Sequence, residues 1–164
     1  MRILWLFLVA PAACGAPLEG SQLPFELFVS RATADLVGSF QVAIVSEGRS
    51  LSCVEVQTRC LNQQLPPSRL LSVTDEAGQA RRALVFPVAL QTGTVSTQDV
   101  VVRGIAPGKD FAVVIEALSK NDPPLLVGSS CNYQPEIVAG TNAKLIATIT
   151  ALSPPAHCDP RWTP

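Results

Sequence analysis

Alternating apolar positions dominate the chain, most plainly between Asp99 and Leu118, DVVVRGIAPGKDFAVVIEAL. Phe111, Val113, Ile115 and Ala117 recur at period two, which places them on one face of a β-strand. The other face carries Ala112, Val114, Glu116 and Leu118, so it is only half polar and is expected to be partly covered. Valine-rich runs flank Ala106-Pro107-Gly108-Lys109. Pro presets φ at the second turn position and Gly accepts φ > 0 at the third, the signature of a type II turn.

The same period recurs along the chain. Phe25, Leu27 and Val29 alternate with Glu26 and Phe28 in a first strand. Phe40, Val42, Ile44 or Val45 form a second, which Glu47-Gly48 ends. Leu51 to Gln57 is a plausible third, and 61–69 (LNQQLPPSR) a loop broken at Pro66-Pro67. Leu70 to Thr74 is short and extended, turned by Asp75-Glu76-Ala77-Gly78. The continuously apolar run 83–90 (ALVFPVAL) suits a strand covered on both faces, but Pro87 cannot donate to a ladder, so the run is interrupted, bulged or at an edge. After a Thr/Ser-rich link at 91–98 and the opening stretch comes the turn Asn121-Asp122-Pro123-Pro124. Leu125 to Ser130 then leads into Cys131. Lys144 to Leu152 closes the pattern with Leu145, Ala147, Ile149 and Ala151 on one face. Eight or nine short strands at even spacing, with no sustained 3.6 period, predict an all-β domain over 24–152, a single antiparallel β-sandwich of about 7–9 strands.

Ile105-x-Pro107-Gly108-x-x-Phe111-x-Val113-x-Ile115-x-Ala117 resembles the corner segment of fibronectin type III domains, over about 13 of the 164 residues. Lys109 stands where that family has Thr. Phe111 replaces the tyrosine whose hydroxyl bonds back to the backbone, so packing alone must hold the corner. The resemblance implies a sandwich of immunoglobulin-like or related type, with its topology open. Cys131, then Ile137-Val138-Ala139-Gly140 and an alternating strand, resembles the closing part of small β-sandwich domains in bacterial envelope lipoproteins.

The amino-terminal end adds an address. Met1-Arg2 and the apolar run Ile3 to Ala10 form a short charged region and hydrophobic core, an export signal over 1–13. That run is shorter than the roughly 20 residues needed to span a bilayer. Pro11-Ala12-Ala13-Cys14-Gly15 resembles a bacterial lipobox, which implies that Cys14 is diacylated and anchors the chain to a membrane. Pro11 departs from the aliphatic residue of that pattern, and ordinary cleavage after Ala12 is the rival reading. Residues 14–23 then form a polar tether. Removing Cys14 from the five cysteines leaves Cys53, Cys60, Cys131 and Cys158, an even set suited to disulfides in an exported chain. Three connectivities are open. Proximity favours Cys53–Cys60, and the otherwise unanchored tail at 153–164 favours Cys131–Cys158.

Composition narrows the function. Charged residues are 15%, hydrophobic residues 48% and the formal charge −1, which argues against a disordered chain and a nucleic-acid partner. Arg81-Arg82 is the longest basic run. The single His, His157, sits in the tail beside Cys158, without paired Cys-x-x-Cys spacing for zinc and without a nucleophile motif. Asp75-Glu76 are adjacent in a turn, which does not suit a glycosidase pair. Tyr133 is the one plausible aromatic platform for a sugar. No catalytic, metal or cofactor residue is assigned. The expected protein is a non-enzymatic, lipid-anchored binding or structural module of the outer membrane or cell surface, with an envelope protein as partner; the alternative is a soluble periplasmic or secreted ligand-binding or adhesion-type domain.

Overall fold

The computed structural model describes residues 20–90 and 96–162. Nine strands lie among them: β1 (Ser21–Val29), β2 (Val37–Ser46), β3 (Val73–Thr74), β4 (Ala80–Arg81), β5 (Leu84–Pro87), β6 (Ser96–Ile105), β7 (Gly108–Ser119), β8 (Leu126–Ile137) and β9 (Leu145–Ala156). They form one sheet in the order β4-β3-β6-β1-β9-β8-β7-β2-β5. The all-β expectation holds, but the arrangement is a mixed sheet, nearly barrel-shaped, rather than a purely antiparallel one. β1 and β9 run parallel, Phe25 opposite Leu145 and Val29 opposite Ile149. Alternation fixes which face a strand buries; it carries no information on which distant strand lies alongside.

Curling lets one sheet enclose one core. Leu23, Phe25 and Leu27 of β1, Phe40 and Ile44 of β2, Val102 and Ile105 of β6, Val113 and Ile115 of β7, and Ala147 and Ile149 of β9 all pack into it. Burial of such alternate apolar side chains is the main force for folding, at about 25 cal/mol per Å². β6 and β7 are joined through Ala106-Pro107 but pair with different strands, β6 with β1 and β7 with β2 and β8. The segment is therefore a corner, but one within a single curled sheet rather than between two sheets. The type II geometry is not found. Positive φ falls on Gly104 (67°) and Asp110 (64°) and not on Gly108. Phe111 folds back onto Gly108, where an added Cβ would sit 2.8 Å from its ring.

Other boundaries differ from the sequence reading. β1 begins at Ser21, inside the stretch read as tether, and β9 runs to Ala156, inside the stretch read as tail. Leu51 to Gln57 is not a strand. It contains a one-turn helix, α2 (Cys53–Val56), whose Ser52 side chain accepts from the Glu55 N–H. That cap satisfies an amide a strand would have left to a neighbour. A second one-turn helix, α1 (Arg31–Ala34), links β1 to β2 under the Ser30 cap. Pro87 lies on β5, an edge strand, where its missing N–H costs no ladder bond. Residues 1–19, with the export signal and Cys14, and part of the 91–98 link lie outside the described residues.

Candidate functional site

β7 is buried on both faces from Phe111 to Leu118. The second face is covered by a long excursion between β2 and β3, residues 47–70, together with the segment after β9. Arg69 closes the neck of the excursion: its guanidinium donates to the Ser46 carbonyl at 2.8 Å and the Glu47 carbonyl at 3.1 Å. Gly48 makes the closest approach, since a Cβ there would overlap the Phe111 backbone. Val56, Leu61 and Leu70 of the excursion pack on Ala43, Val45, Ala112 and Val114 of the sheet, with Trp162 at the margin.

Both disulfides hold this cover in place. Cys53 bonds Cys131 on β8, and Cys60 bonds Cys158 just past β9. All four expected cysteines are therefore paired, but the favoured pairing of Cys53 with Cys60 and Cys131 with Cys158 is overturned. Neighbours in sequence here serve different attachments: one fixes α2 to the sheet, the other fixes the carboxy-terminal segment to the excursion. β9 lies inside the sheet between β1 and β8, so the segment after it has no sheet edge to lie along. That segment crosses the outer face, where Asn62 Nδ2 donates to the carbonyls of Asp159 and Arg161 at 2.8 and 3.2 Å.

A polar joint lies beneath the cover. The Glu116 carboxylate accepts from the Leu61 N–H at 2.7 Å and from Gln41 Nε2 at 2.8 Å. Gln41 Nε2 also donates to the Pro160 carbonyl at 2.6 Å. Burial pushes the Glu116 carboxyl up to about 7, outweighing the two N–H donors that favour its charged form. By contrast the half-buried Asp75 and the exposed Asp159 are held below the usual carboxylate range by Arg81 and Arg161. Neither Gln41 nor Glu116 is assigned a role by the sequence reading, although a lone carboxylate inside an apolar strand is the signal that marks such a joint.

An opening among the described residues lies elsewhere, along the seam where the two ends of the curled sheet approach. A cleft of about 1060 Å³ runs there between β5 and β6. Its walls include Val85 and Val101, both exposed large apolar side chains, and Arg82 and Arg103. One side chain bridges it: the Gln98 amide donates to the Pro87 carbonyl and accepts from the Ala89 N–H, each at 2.9 Å.

The residues weighed for chemistry are scattered. His157 is exposed beside Cys158, whose sulfur is committed to Cys60. Asp75 caps its own turn and pairs with Arg81 at 2.9 Å. Tyr133 lies on β8, and its hydroxyl accepts from Arg49 Nε at 2.8 Å while the guanidinium sits 5.8 Å from the ring centre. Among the described residues no three His, Cys, Asp or Glu side chains come together as metal ligands, and no helix is long and apolar enough to cross a membrane. The two disulfides fit an oxidising, extracellular or periplasmic environment. No protein-family model, curated protein or solved structure matches the chain.

Proposed function

We propose that the chain is an exported, non-enzymatic binding or structural domain of a bacterial cell envelope, held to a membrane by acyl chains on Cys14. The observation that carries this reading is the cysteine pairing. Cys53, Cys60, Cys131 and Cys158 bond one another, so none of them serves as a partner for Cys14 in the lipobox-like stretch. Acylation gives that fifth sulfur a function in a compartment that otherwise oxidises thiols. A tether from Cys14 to Gly20 would hold the domain at the membrane surface.

The non-enzymatic reading rests on where the reactive side chains go. His157 stands on the surface away from the seam lining, and the Glu116 oxygens are both taken by N–H groups under the excursion. A general base needs reach to a substrate proton; of the carboxylates along the cleft, Asp75 is paired with Arg81 and Asp99 with Lys144, and Glu76 sits in the turn after β3. This is the chemistry of recognition more than of turnover.

Fractionation tests the anchor. Expressed in a bacterial host with its leader, the wild-type protein should sediment with membranes and carry a blocked amino terminus, and Cys14→Ala should release it to the soluble fraction. A free terminus beginning at Ala13 would replace the anchored reading with the soluble secreted one.

A further inference from the structure

The seam between β5 and β6 has the hydrogen-bonding pattern of an incomplete sheet. β5 pairs antiparallel with β2, Pro87 opposite Ser39 and Val85 opposite Gln41, and the Val88 N–H reaches the Gly38 carbonyl. In an antiparallel ladder, residues that bond inward alternate with residues whose N–H and C=O point outward. The Val88 bond sets the phase, so Leu84 and Phe86 bond to β2 while Val85, Pro87 and Ala89 face the seam. The contacts of Gln98 agree: they reach the Pro87 carbonyl and the Ala89 N–H. A carbonyl of one residue and the N–H two residues on are the groups that one residue of a parallel neighbouring strand would bind. The Gln98 carboxamide thus stands in for a peptide group.

One step along, no side chain among the described residues does the same for Val85, and Pro87 beyond it has no N–H to offer. β5 pairs with no strand other than β2 among the described residues, and the outward N–H and C=O of Val85 face the cleft. Val85 itself is 55% exposed. We propose that this seam takes one extended segment of a partner protein, laid as an added strand against β5, with apolar side chains against Val85 and Val101. The proposal deepens the binding-module reading and rests on it. An exposed ladder edge is complemented by another extended backbone.

Two features select the occupant. The cleft is walled on both sides, by β5 and by β6, and spanned by Gln98, so it admits a single extended segment more readily than the sheet edge of a second folded copy. Its charges also lean one way. Asp75 is paired with Arg81, and Asp99 with Lys144 at 2.7 Å, while Arg82 and Arg103 form no ion pair among the described residues and Glu76 is the remaining carboxylate. The partner segment should therefore alternate apolar residues with acidic ones.

A short synthetic peptide alternating valine and glutamate is the probe, titrated into the isotopically labelled, disulfide-bonded mature chain. The amide signals of Val85, Arg82 and Arg103 should shift together. Methylating alternate peptide nitrogens should weaken binding about tenfold, the equivalent of one net hydrogen bond. Val85→Pro removes an outward N–H and should have a similar effect. If that variant does not fold, Arg103→Glu serves instead: it should weaken the glutamate peptide and favour a valine–lysine one. Shifts centred elsewhere, binding indifferent to N-methylation, or no shift at millimolar peptide would each overturn the seam proposal. Those results leave the membrane fractionation of Cys14→Ala untouched, so failure of the seam and failure of the anchored reading are told apart.

Discussion

Gln41 and Glu116 stand directly opposite each other on β2 and β7, and the amide of one donates to the carboxylate of the other at 2.8 Å with both side chains buried. The pair does more than satisfy itself. Through the Leu61 N–H and the Pro160 carbonyl it connects the sheet to both pieces of chain that cover it. Removing either partner would leave buried polar groups without a hydrogen bond, which costs about 1–3 kcal/mol per group.

The raised Glu116 value makes stability depend on pH, with a definite sign. The folded carboxyl holds its proton up to about 7 against an ordinary 4.5, so below pH 4.5 it is protonated in both states and carries no penalty. Between those values the unfolded chain ionises first. Stability is therefore lost as pH rises through the window, by about 3 kcal/mol at most. Asp75 and Asp159, with lowered values, act on the acid side of the scale and with the opposite sign. Urea denaturation should show the wild type less stable at pH 8 than at pH 5, and Glu116→Gln should remove most of that difference. A wild type that gains stability across the same range would refute the assignment.

Phe111 tests the corner. It is almost wholly buried, packs in the main core and lies on Gly108 at the point where the chain leaves β6 for β7. Phe111→Ala should cost roughly 3–5 kcal/mol through lost transfer energy and a residual cavity. Equilibrium denaturation gives the value, and a loss below about 1 kcal/mol would mean that the corner is not held by this ring.

Strand faces were legible in the sequence because period two is a local property. Phe25, Leu27, Phe111, Val113, Ala147 and Ile149 all fall on the buried side expected of them. The misread elements turn on information that is not local, or on a local signal outweighed by another. At 51–57 the β-branched Val54 and Val56 favour a strand, yet Ser52 and Glu55 have the spacing of a capping box, and the cap prevails. Cysteine pairing depends on which strand lies under the excursion, which no spacing within the chain reports. The candidate seam was foreshadowed only by Pro87, whose place at an edge follows from its missing N–H.

The Cys60–Cys158 bond gives the last prediction, because it decides whether the carboxy-terminal segment is a cover or a loose end. Beyond Ala156 that segment is held by the disulfide, by Asn62 and Gln41 through backbone carbonyls, and by Trp162 against the outer cluster. Both disulfides close long loops, with separations of 78 and 98 residues. The chain-entropy estimate for loops of that size is about 4–5 kcal/mol for each bond taken alone. The double substitution Cys60→Ser with Cys158→Ser should therefore lower stability by several kcal/mol. It should also shift Trp162 fluorescence to the red as the indole leaves its packed site. The matching pair at Cys53 and Cys131 should destabilise comparably while leaving Trp162 closer to its native emission, since the tail keeps its own tie. Peptide mapping without reductant checks the premise: fragments joining Cys53 to Cys131 and Cys60 to Cys158 are expected, and a Cys53–Cys60 fragment would dismantle the arrangement of the cover.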